Sequence, residues 1–324
     1  MPQNGDKVVL VQKIGVSVER RRWIFAVALM AVCATAAAQN SMGREELRLA
    51  VERLRYGAEP GQETTVFAAG NLVADFYERR NFLPAWPDAN KVEDLVELVS
   101  TAYRDGLSPG DYHEEPIKAI FRELSEETAI GPHERAAAEL LFTDALISLA
   151  HHLRNGKVDP HSHEPVWNFR AASDEHDPVE WIERAVSAPS LIDFVRAEIP
   201  RGAFYNRLRA SLAQHRDIAV RGGWPEIPQG ATIRPGDSDS RIAVLASRLA
   251  ISSDIDHPGP DDTLRVYDEG LQAGVRHFQT RHGLEADGIV GPRTLRSLNI
   301  PVDERIGQLR LTLERARWVL DGIG

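Results

Sequence analysis

Four histidines crowd one short span, His151, His152, His161 and His163, beside Asp159 and Glu164. Imidazoles and carboxylates in proximity are metal-ligand chemistry. The spacing argues against it, because adjacent His151 and His152 point in different directions on a helix and no H-E-x-x-H pattern occurs. No metal and no cofactor are therefore expected. The carboxylate pairs Glu114-Glu115 and Asp261-Asp262 fall in loop-like segments with no aromatic sugar platform around them, which leaves glycoside hydrolysis without support. The sole cysteine, Cys33, lies within an apolar N-terminal stretch. Downstream of it there is no thiol for a disulfide and no cysteine nucleophile, so no catalytic residue is assigned.

Binding chemistry is better represented. Arg276, Gln279 and Asp287 are the candidate ligand-binding residues. The first two are expected on a solvated flank beside the buried face of a helix, where a guanidinium suits a carboxylate and an amide suits peptide or sugar groups. Asp287 precedes Gly288 in a turn, and a turn aspartate most often accepts from its own backbone, so a structural role competes with ligand contact there.

The elements that position these residues read as helices throughout. Leu47, Val51 and Leu54 repeat at helical spacing within 41–56. Val66, Leu72, Val73, Phe76 and Tyr77 form a second stripe, followed by a packed corner from Arg80 to Trp86. Helices are expected over 92–103 and 116–124. The strongest, rich in Ala and Leu, runs from Glu134 to Leu153 and is closed by Asn155-Gly156. Further helices fall at 179–187, 190–198 and 205–220. The Gly, Pro and Asp content from Arg221 to Ser240 marks a boundary loop. Beyond it come helices over 241–249 and 271–282, the latter with Leu271, Val275, Phe278 and His282 on one face. Gly283 ends that helix, Gly288 supplies a positive φ, and Gly291-Pro292 opens the next helix, whose Leu295 and Leu298 meet Val275 and Phe278. No segment alternates apolar and polar residues persistently. The expected fold class is all-α, in two domains for 324 residues.

The formal charge is −10, and the first 38 residues carry five Lys and Arg against two Asp and Glu, so the remainder is more acidic still. An acidic surface repels a phosphate backbone, which excludes nucleic acid as a natural partner. Glu19-Arg20-Arg21-Arg22, the apolar run Trp23 to Val32 and the small residues Ala34 to Ala38 have the order of a secretory signal. Export to the periplasm with cleavage near Ala38 is expected. If the signal stays uncleaved it is an inner-membrane anchor, the one route by which a membrane becomes a partner.

The segment GVRHFQTRHGLEADGIVGPRTLRSLN, Gly274 to Asn299, resembles the small three-helix peptidoglycan-binding domain attached to many wall-modifying enzymes. The resemblance rests on the Phe-Gln pair, the Gly-Leu, the Asp-Gly turn and the Gly-Pro-x-Thr-Leu helix start. Upstream, FYERRNFLPAW (76–86), AYRDGLSPGDYH (102–113) and LFTDALISLAHHLRNGKVDP (141–160) are similar to the scaffold domain of the large periplasmic L,D-transpeptidases. PVDERIGQLRLTLERARWVL (301–320) is similar to the helix that leads into their catalytic domain. The resemblance implies a signal peptide at 1–38, a spacer helix at 39–62, a scaffold domain at 63–230, a peptidoglycan-binding domain at 231–300 and a connecting helix at 301–324. It further implies peptidoglycan, through stem peptides or glycan, as the partner of Arg276, Gln279 and Asp287. The cysteine that performs 3-3 crosslinking in that family lies beyond the matched helix, so this stretch by itself is expected to be inert as a transpeptidase. The apolar stripe Ile306, Leu309, Leu313, Ala316 and Leu320, with Trp318, is expected to dock on that absent catalytic domain. The alternatives are a stand-alone exported peptidoglycan-binding or adaptor protein, and the targeting half of a zinc peptidase or amidase, against which the scaffold resemblance argues.

Overall fold

A computed structural model describes residues 41–56, 66–126, 130–158, 177–200, 202–256 and 265–320. The expected signal at 1–38 and the residues His161, His163, Asp261 and Asp262 lie outside these. Among the described residues the fold is all-α, as the periodicity predicts, with the β-type pairing limited to the isolated antiparallel bridges Ile233 to Val290 and Ser238 to Val266. No helix among them is long and apolar enough to cross a membrane.

The helices are α1 (41–56), α2 (Gly70–Arg79), α3 (Ala89–Thr101), α4 (Glu114–Ser125), α5 (Pro132–Asn155), α6 (Pro178–Ser187), α7 (Leu191–Arg196), α8 (Ala203–Val220), α9 (Ile242–Ile251), α10 (Glu269–Arg281), α11 (Pro292–Leu298) and α12 (Val302–Leu320). Contacts group them into two compact units built from interleaved segments, one from Met1–Glu97, Tyr112–Ser148 and Asp174–Phe194, the other from Leu98–Asp111, Leu149–Ser173 and Val195–Gly324.

In the first unit α2 packs along α6. Asp177 caps α6 by accepting from Val179 N, and the same carboxylate pairs with Arg79 of α2, while Arg80 pairs with Glu183. Phe76, Tyr77 and Val73 are buried as the stripe requires, but Val66 is 83% exposed, because the helix begins only at Gly70 and Val66 lies outside its periodicity. The corner after α2 is turned by Asn81 and Phe82 at positive φ. It is held by the buried Glu139 of α5, which accepts from Ala85 N at 2.7 Å, Trp86 N at 3.2 Å and the Tyr77 hydroxyl at 2.9 Å. Trp86 is consequently 2% exposed and donates its indole N–H to Thr143. Burial raises the Glu139 carboxyl above its usual range, outweighing the donors that favour its charged form.

Two apolar clusters occur among the described residues of the second unit. One joins Ile227, Ile233, Ile242, Leu245, Leu249, Tyr267, Leu271, Val275, Phe278, Val290, Leu295 and Leu298 across α9, α10, α11 and the flanking loops. The other joins Tyr205 and Leu212 of α8 to Leu313 and Ala316 of α12, with Ile306 and Leu309 packed against it. In this second cluster α8 of the same chain covers much of the α12 stripe, and Leu313 is fully buried. Trp318 likewise lies against Gly156, where a Cβ would stand 2.6 Å from the indole nitrogen. A cover within the chain is not legible in the sequence because α8 and α12 begin 99 residues apart (302 − 203), and an apolar stripe records that a helix is covered without recording by what.

Candidate functional site

The three candidate binding residues converge on the turn after α10. That helix is capped by Asp268, whose side chain accepts from Leu271 N at 2.8 Å, and the chain turns away after it at Gly283 with φ 62°. The α10 to α11 loop then folds back over the helix. Gln279 is the lock: its Nε2 donates to Asp287 Oδ1 at 2.9 Å, Ile289 O at 3.1 Å and Thr294 Oγ1 at 3.2 Å, while its Oε1 accepts from Gly288 N at 2.8 Å. The flank position expected for Gln279 is therefore not found. It is 1% exposed, and its polar atoms are engaged by the loop.

Asp287 lies at the surface. Its Oδ1 accepts from Ile289 N at 2.8 Å as well as from Gln279, the self-bonding turn that its position suggested. The Ile289 N–H, foremost, holds its carboxyl below the usual range. Tyr267 completes the loop by donating to Gly288 O at 2.7 Å. Gly288 has φ 74°, and a Cβ there would sit 2.7 Å from Gln272 Cγ, so both conformation and space require glycine. Arg276 is exposed beside this loop, its Nε 3.1 Å from the same hypothetical Cβ.

The loop thus sets one guanidinium and one ionised carboxylate at the surface above a rigid turn. Such a pair can recognise a polar ligand. No group of three His, Cys, Asp or Glu suited to a metal ion occurs among the described residues.

A second cluster lies in the same unit, with no binding motif in the sequence to mark it. Arg248 of α9 is 1% exposed, lying beneath Trp224 with its guanidinium carbon 3.8 Å from the ring centroid. The signal was weak: Arg248 falls three residues after Leu245 on the apolar side of the helix IAVLASRLAI, but an arginine is seldom fully buried. Burial pushes its pKa down to about 9 and that of the nearby His282 down to about 4.

Residues 71–212 match the family described as "Scaffold domain" and residues 240–298 the family described as "Putative peptidoglycan binding domain". The chain is also 34% identical over 80 residues to the N-acetylmuramoyl-L-alanine amidase CwlM of Mycobacterium tuberculosis, an alignment covering 23% of this chain and 20% of that protein. The chain therefore spans about a fifth of the length of the curated relative it matches. It carries a scaffold domain followed by a helical peptidoglycan-binding domain, and its role is related to peptidoglycan.

Proposed function

We propose that this chain is the scaffold and peptidoglycan-binding part of an L,D-transpeptidase acting in cell-wall crosslinking, exported to the periplasm by the segment before residue 39. The observation that carries the proposal is the order of a scaffold segment and a peptidoglycan-binding segment in one chain. The motifs 76–86, 102–113 and 141–160 support the finer assignment. Acyl transfer through a thiolate needs a cysteine beside a base and an oxyanion hole. Cys33 is the sole cysteine of the sequence and lies within the export segment, so the present residues supply targeting rather than chemistry.

Recognition is assigned to the rim of the α10 to α11 loop. Arg276 meets a stem-peptide carboxylate there, Asp287 accepts from peptide N–H or sugar O–H groups, and Gln279 keeps the loop in place from below. In a sacculus pull-down the chain is retained, and Arg276→Glu lowers retention several-fold with an unchanged melting temperature. Undiminished retention by that variant removes the site, and absence of retention by the wild type removes the wall-binding reading itself. A second reading, a stand-alone adaptor, is favoured by the packing of Leu313 and Ala316 of the α12 stripe against α8 within the chain.

A further inference from the structure

Between α8, α9, α10 and α12 the second unit encloses a small cavity of about 40 Å³, lined by His215, Trp224, Arg248, Arg281, His282 and Arg305 among others. Three arginines lining one small cavity is an unfavourable arrangement unless negative charge compensates them. Arg281 has a direct ion pair with Asp254, whose charge also acts on Arg248. Asp254 accepts from Arg281 Nε at 2.9 Å and Nη2 at 2.6 Å, and from His277 and Ser252. Glu304, the carboxylate acting on Arg305, is exposed to solvent, where its influence is screened.

The donors tell the same story. Arg248 gives Nε to Leu298 O at 2.9 Å, yet its Nη1 is buried with no protein acceptor. Arg305 gives Nη1 to Gln308 and Nη2 to Ser297, while its Nε is buried and also without an acceptor. A buried charged donor left unpaired is costly, and a water molecule would supply the hydrogen bond without the charge. The two histidines add no positive charge at neutral pH, since burial foremost lowers both. The Trp224 ring closes the Arg248 face.

We propose that this cavity is a binding site for a small monovalent anion, a halide ion or a single carboxylate group, held by Arg248 and Arg305 beneath Trp224. Its size sets the class. A water needs roughly 10–15 Å³ of such space, so a few atoms fit and a sugar ring or a nucleotide phosphate chain does not. The site is separate from the α10 to α11 loop and stands whether or not that loop binds the wall.

Chloride-35 NMR linewidth reads occupancy directly. The full chain should broaden the chloride signal in excess of free solution, and the excess should be titrated away by acetate or by an N-acetylated dipeptide with a free carboxylate. Displacement by the dipeptide at lower concentration than acetate assigns the site to a peptide terminus; displacement by neither assigns it to a halide. Arg305→Gln, at the half-buried edge, and Arg248→Met should each reduce the excess at least fivefold while the helical circular dichroism is retained. If Arg248→Met does not fold, Arg305→Gln decides the matter alone. No excess broadening in the wild type, or excess kept in a folded Arg305→Gln protein, overturns the proposal.

Discussion

Replacing Leu313 by alanine tests whether α12 belongs to this fold or waits for a partner. The side chain is fully buried among Tyr205, Leu212 and Ala316. Its Cδ1 stands 3.3 Å from where a Cβ on Gly106 would lie. That backbone cannot readily collapse into the space vacated, because Gly106 O accepts from Arg310 Nε at 2.8 Å, Ser108 Oγ from Arg310 Nη2 at 3.0 Å, and Asp105 O from the buried Arg317. Buried Leu→Ala changes cost about 2–5 kcal/mol, rising with the residual cavity, so a constrained site belongs in the upper part, about 3–5 kcal/mol. At about 2–4 °C per kcal/mol for a domain of this size, the melting temperature should fall by roughly 6–20 °C. Leu311→Ala, one of the exposed apolar residues of the same helix at 51%, should stay within about 0.5 kcal/mol. Thermal melting with hydrogen exchange resolved along α12 is the assay. Equal melting of the Leu313→Ala and wild-type chains, or unprotected α12 amides in the wild type, would refute the packing argument.

Three further outcomes are expected. Phe278→Ala, removing a fully buried ring at the centre of the α9–α10–α11 cluster, should cost about 3–5 kcal/mol and abolish the cooperative melt of the peptidoglycan-binding domain; calorimetry of the variant checks it. Glu139→Ala leaves the buried Ala85 and Trp86 N–H groups without their acceptor and should cost at least about 2 kcal/mol, with Trp86 fluorescence shifting red as its corner loosens. His282 has its folded pKa lowered from 6.5 to about 4, so the unfolded chain binds more protons between those values. Its contribution is present above pH 6.5 and is lost as pH falls towards 4; a denaturant series should show stability declining over that window, less steeply in His282→Phe.

The local grammar was legible in the chain alone. Helical spacing located the face of Leu271, Val275 and Phe278, and the need for positive φ identified Gly283 and Gly288, because these depend on near neighbours in sequence and on intrinsic backbone preferences. The same spacing could not tell Gln279 from an exposed flank residue. Its burial comes from a loop that returns eight to fifteen residues later to offer Asp287, Gly288 and Thr294 as partners. Nor could it say that α8 covers α12, or that Arg248, Arg281 and Arg305 share one cavity. Those facts are set by which helix faces meet. A periodic pattern fixes which side of an element is buried, whereas the identity of its partner, and the charges brought together there, follow only from tertiary packing.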